Sequence, residues 1–386
     1  MSDEENSEMV ATSDSSAPPT QHLLEYSGEA KAFGWLVFKN TLLTIITLGF
    51  YRFWAKTRLR KYIWGNQSVF GEKLEYTGTG KELFLGFLVV LAVLVPLAII
   101  FNVVSFYIQT KGGVAAILIF QLAYVILFVF LYGYAVLRAR RYQLSRTQWR
   151  GIRFAQAGDP KRYGFQFLGL GFLAIITFGM AIPFMMIRLH KYRVDNTYLG
   201  QERFTFDGKA IDIFWQWFLC GVLAYITLGL SVLWFMAFLI RYTVSKTRFG
   251  PLTFSLPVKF SDYAKIYVPF ALVAIVSYLL FAILIFATAS GPVFQAAGID
   301  VGDLPVPKID PIIAYVTFFL IGILTPTITA MMITHRIFSL FADKLETEGE
   351  IDLDAFVQNA QEVSKRGEGL ADALDVGGGA GIEVGL

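Results

Sequence analysis

Ile-Ile-Thr-Leu-Gly-Phe at residues 45–50 recurs as Ile-Ile-Thr-Phe-Gly-Met at residues 175–180 and as Tyr-Ile-Thr-Leu-Gly-Leu at residues 225–230. The threonine of each copy lies nineteen residues after a glycine and fifteen residues before a tyrosine. The three sets are Gly28, Thr47, Gly49 and Tyr62; Gly158, Thr177, Gly179 and Tyr192; and Gly208, Thr227, Gly229 and Tyr242. Spacing that repeats without insertions indicates one supersecondary unit copied along the chain.

Two further units have longer centres. Arg138-Ala-Arg-Arg-Tyr142 matches Arg58-Leu-Arg-Lys-Tyr62 and Arg188-Leu-His-Lys-Tyr192, and it closes a unit that Gly78 opens. A fifth unit runs from about residue 256 to His335-Arg336. The sequence therefore predicts five units, at residues 28–71, 78–151, 158–200, 208–250 and 256–341.

The composition indicates a membrane protein. Of the 386 residues, 55% are hydrophobic and only 16% are charged, whereas about 25% are charged in an ordinary soluble domain. Four nearly uncharged stretches exceed the roughly 20 residues that a spanning helix needs, and they are residues 83–107, 114–137, 263–288 and 312–334. The first 22 residues are polar and acidic, so we expect no signal peptide there. The single cysteine, Cys220, excludes an internal disulfide and a cysteine metal cluster.

Charge is divided along the chain in a way that predicts topology. Residues 1–22 and 342–386 hold 16 of the 30 acidic residues and 3 of the 33 basic ones. Most other basic residues cluster where the units end. Basic segments beside spans stay cytoplasmic, so each unit is expected to begin and end on that side as a helical hairpin. Both termini are then expected in the cytoplasm.

The predicted fold is an all-α polytopic membrane protein of five helical hairpins, two long and three short, with short cytoplasmic β-strands between them. In the short units about 16 to 18 residues flank each Thr-X-Gly centre, at about 1.5 Å per helical residue. We expect two short helices folded back at that centre, because glycine permits positive φ and threonine can bond the freed backbone. The alternative is one straight span per short unit, which residues 211–240 are long enough to form.

Alternating segments between the units predict the strands. Their apolar residues keep register with the following glycine in four segments, and these residues are Leu24 and Tyr26, Leu74 and Tyr76, Ile152 and Phe154, and Phe204 and Phe206. Leu252, Phe254 and Leu256 continue the series without the glycine. Alternation of apolar with polar residues is typical of half-buried strands. The strands either pair into a small sheet or lie separately along the headgroups. We favour a sheet, because isolated strands leave backbone groups unpaired.

The two ends of the chain are predicted to be tails. Residues 1–22 form a disordered acidic N-terminal tail, residues 23–341 the membrane domain, and residues 342–386 an acidic C-terminal tail. Within the second tail, residues 351–363 carry apolar residues at spacings that suit an amphipathic surface helix.

Residues Thr44 to Trp64, followed by Leu74 to Phe84, resemble the signature of the YjgN family of bacterial inner-membrane proteins, also called DUF898. The tail from Glu368 to Val376 is similar to that family's C-terminal end, so the resemblance covers most of the chain. It implies a multi-pass protein of the bacterial cytoplasmic membrane. It carries over no catalytic residue, because the family's role is uncharacterised.

The basic ends of the units are candidate contacts for anionic lipid headgroups or for a phosphate-bearing solute. They are Arg58, Lys61, Tyr62, Arg138, Arg141, Tyr142, Arg188, Lys191, Tyr192, Arg241 and Tyr242. The competing interpretation is that snorkelling arginines and interfacial tyrosines only anchor the topology. Lys39, Gln166 and Gln216 are candidate intramembrane polar residues, although a shallow first hairpin would let the Lys39 amine reach the interface.

No catalytic, cofactor or metal site is legible. His22, His190 and His335 lack metal-ligand spacing, and the sequence holds no phosphate loop and no Ser-His-Asp set. The leading hypothesis is a non-enzymatic protein that handles or transports a small solute or lipid, by analogy with transporters built from duplicated units. The alternative is a scaffold that recruits partners through its cytoplasmic strands and tails. The lipid bilayer, including its anionic lipids, is the partner that the sequence implies, and no nucleic acid is expected.

Overall fold

The computed structural model describes residues 21–296, residue 316 and residues 332–349. Its helices are α1 (Ala30–Ile46), α2 (Arg52–Gly65), α3 (Gly80–Lys111), α4 (Val114–Ser145), α5 (Pro160–Ile176), α6 (Ile182–Val194), α7 (Ala210–Ile226), α8 (Leu230–Ser245) and α9 (Phe260–Ala296). Its strands are β1 (Gln21–His22), β2 (Leu24–Tyr26), β3 (Gln67–Val69), β4 (Glu72–Tyr76), β5 (Thr147–Trp149), β6 (Ile152–Gln156), β7 (Thr197–Leu199), β8 (Glu202–Phe206), β9 (Thr247–Phe249), β10 (Leu252–Ser255) and β11 (Glu346–Glu348). Residues 332–344 are also helical and lead into β11.

The strands form one antiparallel sheet whose order runs β1-β11-β10-β9-β8-β7-β6-β5-β4-β3-β2. The first and last strands of that order are consecutive in the chain, because only Leu23 separates β1 from β2. β1 pairs with β11, and β2 pairs with β3. The Leu23 carbonyl also accepts a hydrogen bond from the Phe70 amide at 3.1 Å. The described strands therefore close into a ring, with both ends of the strand order on residues 21–26.

Tight two-residue turns join neighbouring strands at one end of this ring. Phe70-Gly71 and Arg150-Gly151 have positive φ at both residues, as a type I′ turn requires. Gly200 and Gly250 have positive φ at the first turn position only, as in a type II′ turn. Because neighbouring strands are antiparallel, the helical connections between them lie at the opposite end. All the described helices therefore project from one end of the ring.

The three short helix pairs, α1–α2, α5–α6 and α7–α8, are each broken at Thr-X-Gly. Leu48 and Gly49 have φ values of 51° and 92°, and the two later copies have the same pattern. The Thr47 hydroxyl donates to the Leu43 carbonyl at 2.7 Å and accepts from the Tyr51 amide at 2.9 Å, so it joins both helices. The later threonines make equivalent contacts.

The alternative of a straight span over residues 211–240 is wrong, because α7 and α8 pack against each other. The Ser231 hydroxyl donates to the Cys220 carbonyl across this pair at 3.0 Å. The longer helices Gly80–Lys111 and Val114–Ser145, together with Phe260–Ile283 of α9, are long and apolar enough to cross a membrane. At about 1.5 Å per residue the 32 residues of α3 extend about 48 Å, whereas the 17 residues of α5 extend about 25 Å. A hydrocarbon core is about 30 Å thick, so the short pairs are too short to cross and return.

The predicted all-α class is correct only in part: the described fold is mostly helical, and the predicted strands do pair into a sheet, but that sheet has eleven strands and is a major part of the molecule. Each connector between helix pairs also holds two strands, whereas the sequence predicted one. The first strands of these connectors have three residues each, too few for alternation to register. Four helix pairs lie within the described residues. Much of the second half of the fifth predicted hairpin lies outside them.

The sheet extends beyond the predicted limits of the membrane domain. β1 begins at Gln21, within the segment predicted as a tail, and β11 follows the predicted end at residue 341. Gln21 pairs with Thr347, so the sheet brings these two distant segments together. The amphipathic helix predicted for residues 351–363 lies outside the described residues.

The main core lies between one face of the sheet and the helices that follow the Thr-X-Gly turns. Phe204 and Phe249 are neighbours on paired strands, with ring centroids 4.4 Å apart. Ile187 of α6 and Ala237 of α8 are buried in the same cluster. Alternate apolar residues thus cover the strand face toward the helices, and the packing holds the second helix of each pair against the ring.

Candidate functional site

The repeated tyrosine joins the two helices of each short pair at their base, which is the end beside the sheet. The Tyr192 hydroxyl accepts a hydrogen bond from the Asp159 amide at 2.9 Å and donates to the Asp159 carbonyl at 3.1 Å. The same two contacts join Tyr62 to Glu29 and Tyr242 to Lys209. In each copy the contacted residue follows the repeated glycine, which explains the constant spacing between glycine and tyrosine.

These tyrosines are engaged with the protein itself. Burial, followed by the hydrogen bond to Asp212 at 2.6 Å, raises the pKa of Tyr242 to about 12. Burial also raises the pKa of Tyr62. In the long pair, Tyr142 is buried and donates to Glu82 at 2.9 Å. Through these hydrogen bonds the four phenols hold the bases of the helix pairs together.

The basic residues predicted beside these tyrosines do not converge. The exposed members are Arg58, Lys61, Arg188, Lys191 and Arg241. Arg141 donates to the carbonyls of Gln156 and Gly158 at 3.0 and 2.5 Å, so it caps the end of β6. Arg138 is half-buried, with its guanidinium 5.4 Å from the centroid of the Tyr134 ring. The structure does not bring these basic residues and the tyrosines into one pocket, and their contact with anionic headgroups stays a prediction.

A second set of residues, two positions before each tyrosine, points inward. Arg60 is 1% exposed and donates to the Tyr76 hydroxyl at 3.1 Å. Arg140 is buried and donates to Gln156 Oε1 at 3.1 Å. His190 meets the Phe206 ring edge-on, with centroids 4.8 Å apart. Each therefore contacts the residue sixteen positions later, at the end of the next strand pair.

Sequence reasoning missed this inward set as a site. It treated Arg60 and Arg140 only as members of basic clusters, and it assessed His190 only for metal spacing. The signal was present in the repeat, since all three residues lie two positions before the repeated tyrosine. The fourth copy has Ile240 there.

A cavity of about 650 Å³ lies beside two members of the inward set. Helices α4, α5, α6, α8 and α9 surround it. Its lining residues include Tyr132, Arg140, Tyr163, Ile182, Met185, Met186, His190, Arg193, Met236, Leu239, Thr243 and Tyr263. Its size falls within the range of small-molecule sites, about 300–1,000 Å³.

The cavity is polar at the end near the sheet and apolar at the other end. Arg140, Arg193 and Thr243 lie within the last few residues of their helices before the sheet, while Tyr163 and Tyr263 lie in the first turns after it. We call this end the floor. Ile182 and Met236 lie toward the helix turns, and Met236 is 42% exposed. We call this end the mouth, because it reaches the surface of the helix bundle.

His190 lies at the floor in a neutral state. Burial, followed by the positive charges of Arg193 and Arg140, lowers the pKa of His190 to about 3. Its Nε2 is buried and has no hydrogen-bond partner among the described residues. No Asp or Glu is among the described residues that line the cavity. The described part of the floor therefore carries two guanidinium groups and a buried imidazole nitrogen without a hydrogen-bond partner among these residues.

The predicted intramembrane polar residues lie elsewhere. Lys39 is exposed on α1, while Gln166 and Gln216 are half-buried on α5 and α7. None of the three lines the cavity. Among the described residues, no three His, Cys, Asp or Glu side chains gather closely enough to hold a metal ion.

Comparison of the sequence with known proteins finds relatives among bacterial inner membrane proteins. A family model described as "Bacterial protein of unknown function (DUF898)" matches residues 21–219 and 203–334. The inner membrane protein YjgN of Escherichia coli O157:H7 is 28% identical over 139 residues, which cover 35% of this chain and 31% of that protein. The inner membrane protein YjgN of Salmonella typhimurium strain LT2 is 36% identical over 69 residues, which cover 18% of each chain. The chain thus spans less than a third of the length of these relatives, and no solved structure matches it.

Proposed function

The chain belongs to the DUF898 family, and from that premise we propose that it is a multi-pass, non-enzymatic protein of the bacterial inner membrane that handles or transports a small solute or lipid. Its five helical units insert from the cytoplasmic side, and both termini lie in the cytoplasm. The two long units cross the bilayer, while the three short ones end within it.

The single observation that carries the proposed function is the cavity between α4, α5, α6, α8 and α9. It combines a floor lined by polar side chains, among them Arg140, His190 and Arg193, with an apolar mouth, and the surrounding helices are drawn from four successive units. Ligand sites in helical membrane proteins commonly lie between repeated units.

The topology rests on the common origin of the helices at one end of the ring. Basic residues cluster at that end, and basic segments beside spans stay in the cytoplasm. A test places single cysteines at Glu72, Arg150, Gln201 and Arg248, all exposed near the strand turns, in a Cys220→Ala background. An impermeant maleimide should label all four only from the cytoplasmic side. Labelling of any one from the periplasm of intact cells would overturn the topology.

The role of the cavity is tested by filling it. Leu239→Trp places a large ring among the lining residues, whereas Val232→Trp adds the same ring at an exposed position of the same helix. Native mass spectrometry of protein released from its own membranes should show a bound small molecule on the wild type and on Val232→Trp. Leu239→Trp should lose it. Equal adduct masses on all three folded proteins would remove the cavity from the function.

The scaffold alternative receives less support from the strands. A scaffold that recruits partners by strand addition needs an open sheet edge. Within the described residues, both ends of the strand order lie on residues 21–26 and are paired. The strands therefore offer little edge for a partner.

A further inference from the structure

We propose that the cavity binds a neutral amphiphile, a hydrocarbon chain that ends in an uncharged hydroxyl group. The hydroxyl lies at His190 Nε2, and the chain runs along α6 toward the mouth. This inference rests on the proposed function, since it names the ligand class of the same cavity.

His190 is a lining side chain that the protein leaves without a hydrogen bond. Its Nε2 is buried and has no partner among the described residues. The Thr243 hydroxyl, also at the floor, instead donates to the carbonyls of Leu239 and Ile240 in its own helix, at 2.9 and 3.0 Å. A buried polar atom without a partner lowers stability. A ligand that supplies the missing hydrogen bond therefore gains affinity at this nitrogen.

The surroundings of His190 favour an uncharged head. No Asp or Glu is among the described lining residues, so a cationic head meets no carboxylate from them. Arg140 donates to Gln156 Oε1 and, like Arg193, has further interactions within the protein, so neither guanidinium group is a free partner for an anion. An ionised head that lacks a partner is costly to bury.

A hydroxyl group suits this nitrogen in either tautomer of the imidazole. His190 is neutral in the folded protein, so its Nε2 is a donor in one tautomer and an acceptor in the other. A hydroxyl both donates and accepts. An alcohol can therefore complete the hydrogen bond whichever ring nitrogen carries the proton.

The wall between the floor and the mouth suits a hydrocarbon chain. From Ile182 to His190 the α6 helix rises about 12 Å, at about 1.5 Å per residue. Met185 and Met186 of α6 and Met236 of α8 line the cavity along this stretch. Methionine side chains adapt to flexible apolar ligands, because they are unbranched and polarizable.

In the proposed topology the mouth lies where lipid chains are available. The turn that precedes α6 exposes 93% of Phe178, and the turn that precedes α8 exposes 93% of Leu228. Apolar residues this exposed are favourable in hydrocarbon and unfavourable in water. An amphiphile can therefore enter from the lipid beside these turns and place its hydroxyl at the floor.

The test uses the full chain in lipid nanodiscs and a photoreactive probe, a twelve-carbon alcohol with a diazirine group in its chain. Irradiation links the probe covalently to the residues beside its chain, and peptide mass spectrometry locates the adducts. The adducts should fall on the α6 and α8 peptides that line the cavity. Leu239→Trp should remove them, and Val232→Trp should keep them.

Competitors with the same chain and different heads identify what the site recognises. They are dodecanol, dodecane and dodecyl phosphate, compared at equal concentration in the nanodisc lipid. Dodecanol should suppress the adducts, whereas dodecane should require about fivefold more, because it lacks the hydrogen bond. Dodecyl phosphate should require at least about tenfold more, because its charge finds no free partner. Dioctanoylglycerol distinguishes the source of the hydroxyl, since its competition indicates a diacylglycerol and its failure to compete a single-chain alcohol.

Matched variants assign the recognition to His190. His190→Leu should raise the required dodecanol concentration about fivefold and abolish its advantage over dodecane. His190→Gln should retain most of that advantage, because its amide can donate and accept. Thr243→Val is the control at the same floor and should change little, since its hydroxyl is already bonded within α8. Thermal unfolding verifies that each variant folds, and the ranking of competitors on the wild type tests the same claim without a substitution.

Several outcomes would overturn the inference. Equal competition by dodecanol and dodecane, or an unchanged advantage of dodecanol in His190→Leu, would exclude recognition of the hydroxyl at Nε2. Stronger competition by dodecyl phosphate would assign the cavity to an anion. A small molecule that Leu239→Trp excludes and that His190→Leu and dodecanol leave bound would overturn the alcohol class while leaving the proposed function intact.

Discussion

The two ends of each short helix pair differ sharply in what surrounds them. At the base, beside the sheet, the repeated tyrosine bonds the backbone after the glycine, and the neighbouring strand residues are buried. At the tip, Leu48, Phe178 and Leu228 are 90%, 93% and 93% exposed. The base is therefore held by specific packing and hydrogen bonds, whereas the tip is shaped by its own backbone turn and is suited to lipid.

The long pair α3–α4 sharpens this comparison. It starts from the same sheet, and its base is also closed by a tyrosine, through Tyr142 and Glu82. Its far end is a Gly112-Gly113 connection between two 32-residue helices. The base is thus the common element of the units, while the length beyond it varies. Substitutions at the base should affect folding, and those at the tip should affect the contact with lipid.

The largest expected effect is at Gly208. A Cβ there would lie 2.3 Å from the Phe206 ring and 3.1 Å from the Tyr242 ring, and Phe206 is fully buried and cannot move aside. Gly208→Ala should therefore lower the free energy of unfolding by about 1–3 kcal/mol, measured by thermal unfolding in detergent. The control is Gly221→Ala, a helical position with open space, which should be neutral or stabilising by up to about 1 kcal/mol. Equal effects at the two glycines would contradict tight packing at the base.

The next effect is loss of the tyrosine closure. Tyr192→Phe removes both hydrogen bonds to the Asp159 backbone and should cost about 1–2 kcal/mol of unfolding free energy. Tyr225→Phe, at a position that is 90% exposed near the tip, should cost almost nothing. The same melting assay compares them. A Tyr192→Phe protein as stable as Tyr225→Phe would show that the constant spacing has another cause.

A smaller effect concerns pH and His190 at the base of α6. Because the folded protein holds the pKa of His190 at about 3, the unfolded chain binds a proton there between about pH 6.5 and 3 that the folded protein does not. Stability should fall as the pH is lowered through this window. At pH 5.5 this residue should cost about 1 kcal/mol relative to pH 7.5, and His190→Gln should lose that part of the pH dependence. Parallel pH profiles for the two proteins would contradict the prediction.

The smallest effect on folding is expected at the tip. Leu228→Cys in a Cys220→Ala background should change the unfolding free energy by less than about 0.5 kcal/mol relative to that background. A nitroxide label there should be accessible to oxygen and shielded from a water-soluble nickel complex, because the proposed topology places the tip in lipid. The control label at Arg248→Cys, exposed on a strand, should show the reverse. Equal nickel accessibility at both labels would place the tip in water.

Several features follow from local sequence alone. The repeated Thr-X-Gly motif determined the helix breaks, because glycine accepts positive φ and the threonine hydroxyl forms hydrogen bonds with both helices. Three of the four long uncharged stretches coincide with helices that are long and apolar enough to cross a membrane, because composition and length suffice to locate such helices. The fourth stretch, residues 312–334, lies almost wholly outside the described residues. Alternating apolar residues located the second strand of every connector, including β10, which no repeated glycine follows.

Other features depended on contacts between segments distant in the chain. Closure of the sheet joins residue 21 to residue 347, and three-residue strands carry too little pattern to predict such a pairing. Arg140 of α4 and His190 of α6 line a cavity, whereas Arg188, two residues before His190, stays exposed. This difference follows from how α4 and α6 pack over the ring. A helix's own sequence determines which residues share a side, but only its neighbours determine which side becomes a site.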